Sequence, residues 1–144
     1  MKNLQKKFDE YKKKVHTKEG IGEFYERQIR YLYEKNGWRV EPYGILKGKS
    51  DLGRDLICTK KKQVLIIQAK NWSKRKTIHE KHLMQLAGTI LYYIYNKNSF
   101  PKGVFVTTAK LSDRAKDVAK KLNIQHRNIK LDKNFPMIKC NINK

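Results

Sequence analysis

A short apolar run in the middle of the chain, Val64-Leu-Ile-Ile-Gln68-Ala-Lys70, limits the fold more than any other segment. Its first residues are β-branched or aliphatic, and polar residues bound it at both ends. This pattern is typical of a strand that is buried on both faces. The run therefore predicts the central strand of a sheet that carries helices on its two faces.

The rest of the sequence supplies the elements around this strand. Apolar residues at helical spacing predict helices from about Phe24 to Asn36-Gly37, from about Ile78 to Tyr95, and from the capping residue Ser112 to about Leu122. Alternating or β-rich stretches predict strands at Trp38 to Tyr43, Asp55 to Thr59, Val104 to Thr107 and, at an edge, Ile124 to Leu131. A turn is predicted at Lys60 to Gln63. The order of elements indicates an α/β fold, with a mixed central β-sheet flanked by helices.

The length of 144 residues is that of one ordinary domain. Residues 20–144 are predicted to form it. Residues 1–19 are rich in Lys, and Gly20 and Gly22 interrupt the helical pattern that begins there. Four apolar residues recur at helical intervals in this segment: Leu4, Phe8, Tyr11 and Val15. The segment is therefore predicted to be a basic N-terminal helix or arm.

The charge balance points to a polyanionic partner. The chain has 34 Lys and Arg against 13 Asp and Glu, which leaves a formal net charge of +21. Nucleic acid is the commonest polyanion, and binding that neutralises its phosphates gains affinity by releasing counterions. The alternative is that a composition rich in Lys and Asn follows a genome-wide bias and only keeps the surface soluble. We favour DNA as the partner.

The cysteines and the N-terminus bear on the compartment. Cys58 and Cys140 lie far apart, without the spacing of a zinc site or a disulfide framework, which favours a reducing cytosol. The N-terminal stretch lacks the apolar core of a leader, and no segment approaches the roughly 20 apolar residues of a membrane span. The sequence therefore predicts a soluble cytoplasmic protein with no membrane partner.

Three polar residues on the predicted hairpin suggest hydrolytic chemistry. Gln68 and Lys70 are two apart on one strand, so their side chains leave the same face of the sheet. The short turn could pair Asp55 with Gln68. Mg²⁺ prefers oxygen ligands, which Asp55, the Gln68 amide and the Ala69 carbonyl could supply, and Lys70 would then lie beside the attacking water. The spacing alone fits equally well a turn-closing Asp, a Gln bonded to the backbone and a solvated Lys.

These motifs resemble those of the PD-(D/E)xK nuclease superfamily, and within it the Mrr-type restriction endonucleases. The matching segments are Gly22 with Tyr25-Glu26, Gly53-Arg-Asp55 and Gln68-Ala-Lys70, followed by Trp72 and by residues 77–82 and 104–108. The resemblance covers most of residues 20–125. Archaeal Holliday junction resolvases are similar in fold, size and basic character, but they carry Glu-x-Lys where this chain has Gln68-Ala-Lys70.

The resemblance implies a restriction-endonuclease-like three-layer core and gives each site residue a role. Asp55 would be the principal metal ligand, Gln68 the second ligand from the strands, and Lys70 the catalytic lysine. Glu26 would complete the site. Glu23 lies one helical turn away and is its rival, but the order Tyr-Glu-Arg around Glu26 matches the family better. Asp51 could hold a second metal through water, although an Asp two residues before a Gly in a polar loop more often forms a turn.

Further residues are candidates for contact with DNA. Trp72 adjoins a basic loop that is suited to gripping phosphates or unstacking a base, and a plain solvated loop is the alternative. His79, His82 and Gln85 could reach a phosphate, although such residues more often form a polar helix face. The candidates predicted to contact nucleic acid are Arg54, Trp72, Lys74, Arg75, Lys76, His79, His82 and Gln85.

Together these inferences predict a DNA endonuclease that depends on Mg²⁺, acts as a homodimer and needs no small-molecule cofactor. Mn²⁺ would also be accepted, since both ions take oxygen ligands. The substrate would be duplex, modified or branched DNA, because one small domain has little room to read a long sequence. The sequence leaves restriction-type cleavage and junction resolution both open. The alternative is a catalytically weak module that binds nucleic acid or assists assembly.

Overall fold

A computed structural model of the chain describes residues 18–43, 54–72, 76–97 and 99–132. Helices and strands alternate along it much as the sequence predicts. In chain order the elements are α1 (Lys18–Lys35), β1 (Arg39–Tyr43), β2 (Arg54–Lys60), β3 (Gln63–Lys70), β4 (Thr77–Ile78), α2 (Glu80–Lys97), β5 (Lys102–Thr107), β6 (Lys110–Leu111), α3 (Asp113–Lys121) and β7 (Gln125–Asn128).

A mixed sheet forms the middle of the molecule. Its strand order is β1-β2-β3-β5-β7. The pairs β1–β2 and β2–β3 are antiparallel, whereas β3–β5 and β5–β7 are parallel. The apolar run of β3 therefore lies at the centre, with two strands on either side. This arrangement confirms the predicted central strand, the mixed sheet and the α/β class.

Helices cover the sheet on both faces, so the fold has three layers. The core beneath α1 is formed by Tyr25, Ile29, Tyr33, Val40, Leu56, Cys58, Ile67, Ala69, Val104 and Val106. The core on the α2 and α3 side is formed by Ile66, Ile78, Leu83, Leu86, Tyr93, Phe105, Ala109, Leu111, Ala115, Ala119 and Ile124. Alternate residues of β3 thus enter different cores, as the two-residue period of a strand requires. Among the described helices, none has the length and apolar character to cross a membrane.

The start of α1 differs from the prediction. Gly20 and Gly22 lie inside the helix rather than interrupting it, so the predicted boundary between residues 19 and 20 also falls within α1. A helical glycine costs about 1 kcal/mol relative to alanine, which burial of Phe24 and Tyr25 on the next turn can offset. The helix ends as predicted, before Gly37 with its positive φ of 91°. The predicted arm lies otherwise outside the described residues.

The start of α2 also differs. Thr77 and Ile78 form the short strand β4, which pairs in parallel with β6, so the helix begins at Glu80 and not at Ile78. The reason is that the Ile78 side chain is fully buried and its carbonyl accepts a hydrogen bond from the Ser112 backbone, 2.9 Å away. Ser112 also caps α3 as predicted, since its Oγ accepts from the Ala115 N–H.

Candidate active site

The register of β2 and β3 joins two of the predicted site residues. Asp55 is directly opposite Gln68, and Arg54 is opposite Ala69. Directly opposed residues of an antiparallel pair share one face of the sheet. A tight turn after Lys60 connects the strands and fixes this register. The predicted pairing of Asp55 with Gln68 is therefore present in the backbone, while the Asp55 side chain lies outside the described part of the protein.

Gln68 and Lys70 are both buried at the end of the central strand. Their side chains are 1% and 3% exposed. They alternate with Ile67 and Ala69, which belong to the core beneath α1, so they lie on the α2 face of the sheet. Burial of a lysine is costly unless its charge is compensated. Two polar side chains at so buried a position keep Gln68 and Lys70 as candidates for a functional site.

The Trp72 ring lies against the Lys70 ammonium. The Nζ atom is 4.1 Å from the ring centroid, and the Nζ atom of the exposed Lys76 lies 5.2 Å from the same ring. The negative face of an indole ring attracts a cation at these distances, most strongly where water is excluded. The ring thus supplies part of the stabilisation that the buried Lys70 requires.

The Thr108 hydroxyl fixes the backbone at Trp72. It accepts a hydrogen bond from the Trp72 N–H at 3.0 Å. It lies within donating distance of two oxygens, the Trp72 carbonyl at 2.7 Å and Asn71 Oδ1 at 3.0 Å. These contacts join the segment after β3 to the segment after β5. No sequence motif gives Thr108 a role of its own, although it lies in a segment that resembles the family.

His82 lies behind the Trp72 ring. The two rings meet edge to face, with centroids 4.7 Å apart, and the His79 backbone N–H donates to His82 Nδ1 at 3.0 Å. His82 is only 4% exposed. Burial, and secondarily the Lys70 charge, lower the pKa of His82 to about 4. His82 is therefore a neutral, buried residue against the Trp72 ring and not part of an exposed polar helix face, and its contact with nucleic acid stays a prediction.

The remaining candidates with described side chains differ in burial and in the face of the sheet on which they lie. Gln85 is half-buried on α2, and its Oε1 accepts no hydrogen bond within the described residues. Glu26 is half-buried on α1, which covers the opposite face of the sheet from Gln68. The position of Glu26 in the site therefore stays a prediction. His79 and Lys76 are exposed.

Several predicted residues cannot be placed with their side chains. Arg54 lies on β2 and Glu23 on α1, where only the backbone is described. Asp51, Lys74 and Arg75 lie outside the described residues.

Among the described side chains, no group of three His, Cys, Asp or Glu could hold a metal ion. The candidate donors are instead the oxygens of Asp55, Gln68 and Ala69, which are the hard ligands that Mg²⁺ prefers. Within the described residues, the buried Gln68 Oε1 accepts no hydrogen bond, although the side chain as a whole is not without interactions. The donor chemistry at β2 and β3 thus fits a hard cation.

Residues 18–132 match a family model, Mrr_cat, that is described as restriction endonuclease. The chain belongs to this restriction endonuclease family. The match spans every described element of this Mrr_cat domain, and it confirms the resemblance to Mrr-type restriction endonucleases in the PD-(D/E)xK superfamily.

Solved structures share the fold of this Mrr_cat domain. A crystal structure of a protein of unknown function has a TM-score of 0.60 at 17% identity, covering 77% of this chain and 60% of its own. A repair endonuclease from Pyrococcus abyssi has a TM-score of 0.52 at 15% identity, covering 74% and 47%. The MspJI restriction endonuclease, in complex with a 27-mer oligonucleotide, has a TM-score of 0.55 at 15% identity, covering 83% and 27%. The three-layer core is therefore restriction-endonuclease-like.

The domain spans between about a quarter and three fifths of the length of these three structures. Among curated proteins, none matches the chain significantly.

Proposed function

We propose that this chain is a metal-dependent DNA endonuclease that hydrolyses phosphodiester bonds. The observation that carries the proposal is the register that sets Asp55 opposite Gln68, with the buried Lys70 two residues further along β3. Membership of the restriction endonuclease family supports the same conclusion. This constellation lies on the backbone of a central hairpin, and a rigid strand pair can keep reacting groups in a fixed geometry.

Oxygen donors would hold the metal in this proposal. Asp55 would be the principal ligand, and the Gln68 amide, the Ala69 carbonyl and Glu26 would complete the set, with Glu23 and Asp51 as peripheral candidates. Mg²⁺ suits these ligands, and Mn²⁺ would also be accepted. When bound, the ion would lower the pKa of a water molecule and polarise the phosphate.

Lys70 would act on the reacting phosphate directly. Its ammonium donates hydrogen bonds, and at 3% exposure it does so where little water screens the charge. We propose that it orients the attacking oxygen and balances the negative charge that grows on the phosphate. A neutral side chain of similar length should keep the packing and lose this effect.

The net charge of +21 supports DNA as the substrate. Phosphate contacts are assigned to Arg54, Lys74, Arg75 and Lys76, with the exposed His79 and half-buried Gln85 nearby in sequence. Such contacts position a duplex without reading its bases. We therefore propose that the protein recognises the shape or the modification of DNA. Restriction-type cleavage and junction resolution are the two alternatives that a cleavage assay must distinguish. Binding should weaken steeply with salt, because each neutralised phosphate releases counterions.

The exposed side of α2 supports the proposed homodimer. Residues 83–96 contain no charged residue, in a chain where 33% of residues are charged. The large apolar side chains that α2 leaves exposed are Met84, Leu91, Tyr92 and Tyr95. A second copy of so basic a chain is repelled except at an uncharged surface. A second copy of the chain, which offers the same uncharged surface, is therefore the partner that we propose for this side of α2.

The dimer surface can be tested by sedimentation. Tyr95→Glu and Leu91→Glu should give monomers, because each places a charge in the interface. Lys97→Glu, at the exposed end of the same helix, serves as the control and should stay dimeric. Monomeric wild type at micromolar concentration would disprove the dimer.

The nuclease is tested by a Mg²⁺-dependent cleavage assay on matched linear duplex, methylated duplex and four-way junction DNA. Wild type should cut, and Asp55→Ala and Lys70→Met should bind DNA without cutting it. Asp117→Ala, at an exposed position on α3, is the matched control and should cut normally. Tight binding without any cleavage by wild type would support the catalytically weak binding module, and a flat salt response would contradict nucleic-acid binding altogether.

A further inference from the structure

We propose that Trp72 is a positioning residue, which fixes the Lys70 ammonium at the end of β3 through its ring face, and that His82 fixes the ring in turn. The sequence alone predicts that Trp72 grips phosphates or unstacks a base, with a plain solvated loop as the alternative. The expected effect on rate rests on the proposed endonuclease function. Whether Trp72 fixes the Lys70 ammonium can be tested without measuring cleavage.

The Lys70 ammonium needs a restraint to stay in one position. A Lys side chain has a flexible four-carbon stem, and its ammonium can occupy many positions unless something restrains it. Lys70 is 3% exposed, so water does not surround the ammonium. Its Nζ lies 4.1 Å from the Trp72 ring centroid, well within the distance at which a ring face attracts a cation. The ring therefore favours one position of the charge.

The Trp72 ring is itself held in position by its neighbours. The Thr108 hydroxyl bonds the Trp72 backbone at its N–H and lies 2.7 Å from its carbonyl oxygen. His82 meets the ring edge to face at 4.7 Å, and His82 is itself fixed by the His79 N–H. In this series, the His79 N–H fixes His82, His82 fixes the Trp72 ring, and the ring fixes the Lys70 ammonium. A ring restrained in this way can restrain the cation above it.

The competing role for Trp72 is direct contact with DNA. A side chain that stacks on a base needs an open ring face. The face of Trp72 is approached by the ammonium groups of Lys70 and Lys76, and its surroundings include the buried His82. Positioning and DNA binding predict different kinetics. Loss of a positioning residue lowers kcat, whereas loss of a DNA contact that is the same throughout the reaction raises KM.

Two variants of Trp72 separate the effect of its ring face from the effect of its apolar volume. Trp72→Phe keeps a ring face, whereas Trp72→Leu keeps an apolar side chain without one. Trp38 provides the matched control, because the Lys60 Nζ lies 5.5 Å from its ring centroid in a pair remote from the site. Trp38→Leu should leave the kinetic constants unchanged. Circular dichroism and thermal unfolding of each variant show whether it is folded.

Two measurements are made on each variant. Trp72→Leu should lower kcat by roughly 10- to 30-fold, which is the rate equivalent of a desolvated cation–π contact, with KM unchanged. Trp72→Phe should restore most of this loss. In carbon-13 lysine-labelled protein, the Lys70 ε-methylene protons, identified by their loss in Lys70→Arg, should be shifted upfield by the ring. The shift should disappear in Trp72→Leu and persist in Trp72→Phe.

The outcomes are distinct. Absence of the upfield shift in wild type overturns the proposal, whether or not the protein cuts DNA. A rise in KM with kcat unchanged in Trp72→Leu also overturns it and assigns Trp72 to DNA binding. If wild type does not cut DNA, the proposed endonuclease function is wrong. The Lys70 proton shifts in wild type, Trp72→Leu and Trp72→Phe still decide whether Trp72 fixes Lys70.

Discussion

Asp55 and Gln68 are directly opposed residues of the antiparallel pair β2–β3, and Gln68 is 1% exposed. A Gln68→Glu substitution would place a second carboxylate at this buried position, on the strand face that opposed residues share. Without metal, burial and repulsion between like charges should destabilise the variant by about 1–3 kcal/mol. A bound divalent cation should reverse this loss, because an ionised carboxylate is a stronger ligand than an amide. Thermal unfolding in EDTA and in Mg²⁺ measures both effects.

The control for this experiment is Gln63→Glu. Gln63 begins the same strand and is exposed, so the substitution changes the charge equally without burying it. Its unfolding temperature should respond to Mg²⁺ as that of wild type does. An equal response of Gln68→Glu and Gln63→Glu would mean that Gln68 does not face a metal site.

Substitution by alanine should have opposite effects on stability at Gly103 and at Gly88. A Cβ at Gly103 would lie 2.6 Å from Ile90 Cδ1 and 3.2 Å from Ile124 Cγ1, whereas a Cβ at Gly88 would meet nothing within 4 Å. Gly103→Ala should therefore destabilise the protein by about 1–3 kcal/mol through overpacking. Gly88→Ala should stabilise it by about 0.5–1 kcal/mol, since alanine favours a helix. Urea unfolding of the two variants gives both values, and a stabilised Gly103→Ala would show that this core is loosely packed.

The sequence predicts the parts of this fold that local patterns specify. The apolar run of β3 has too few polar residues for an edge strand, and it lies at the centre of the sheet. The short turn after Lys60 leaves few registers for the hairpin, so the pairing of Asp55 with Gln68 follows from spacing. The cap at Ser112 depends on one side chain and one neighbouring N–H, and it too is present.

Features that depend on tertiary packing were not predicted. Two-residue strands such as β4 and β6 are too short to show a period. The contact between Trp72 and His82 joins a loop to a helix, and no local pattern specifies such a distance. Gly20 has a low helix propensity, but the apolar side chains further along α1 bury against the sheet and override it. The burial of His82 likewise follows from how α2 packs.

Gln28 joins α1 to the segment after β7 by two hydrogen bonds. Its Nε2 donates to the Lys130 carbonyl and its Oε1 accepts from the Asp132 N–H, both at 2.8 Å. Gln28 is buried, so Gln28→Ala should leave backbone groups unsatisfied and cost about 1–3 kcal/mol. Hydrogen exchange at Asp132 should become faster in the variant. Lys35→Ala, at the exposed end of α1, is the control, and equal stability of the two variants would contradict the role of Gln28.

The buried His82 should make stability depend on pH. Its pKa is lowered from 6.5 to about 4, chiefly by burial and then by the Lys70 charge. The hydrogen bond from the His79 backbone raises it, and the charges of Lys81 and His79 lower it slightly further. Between these values the unfolded chain binds a proton at this residue that the folded chain excludes. Stability is therefore fully present above pH 6.5 and is lost as the pH falls towards 4, by on the order of 2 kcal/mol at pH 5.

This dependence is measured by urea unfolding of wild type and His82→Gln from about pH 7.5 to about pH 4.5, a range that starts above the unfolded-state pKa of His82 and approaches its folded-state pKa. Glutamine does not titrate, so the stability difference between the two proteins should shift in favour of the variant as the pH falls. Effects of the other titrating groups cancel in this difference. His79→Gln keeps the backbone N–H that bonds to His82 and removes only the smallest of the effects that lower its pKa, so it should follow the wild-type curve closely. Parallel curves for wild type and His82→Gln would show that His82 takes up its proton as easily in the folded protein as in the unfolded chain.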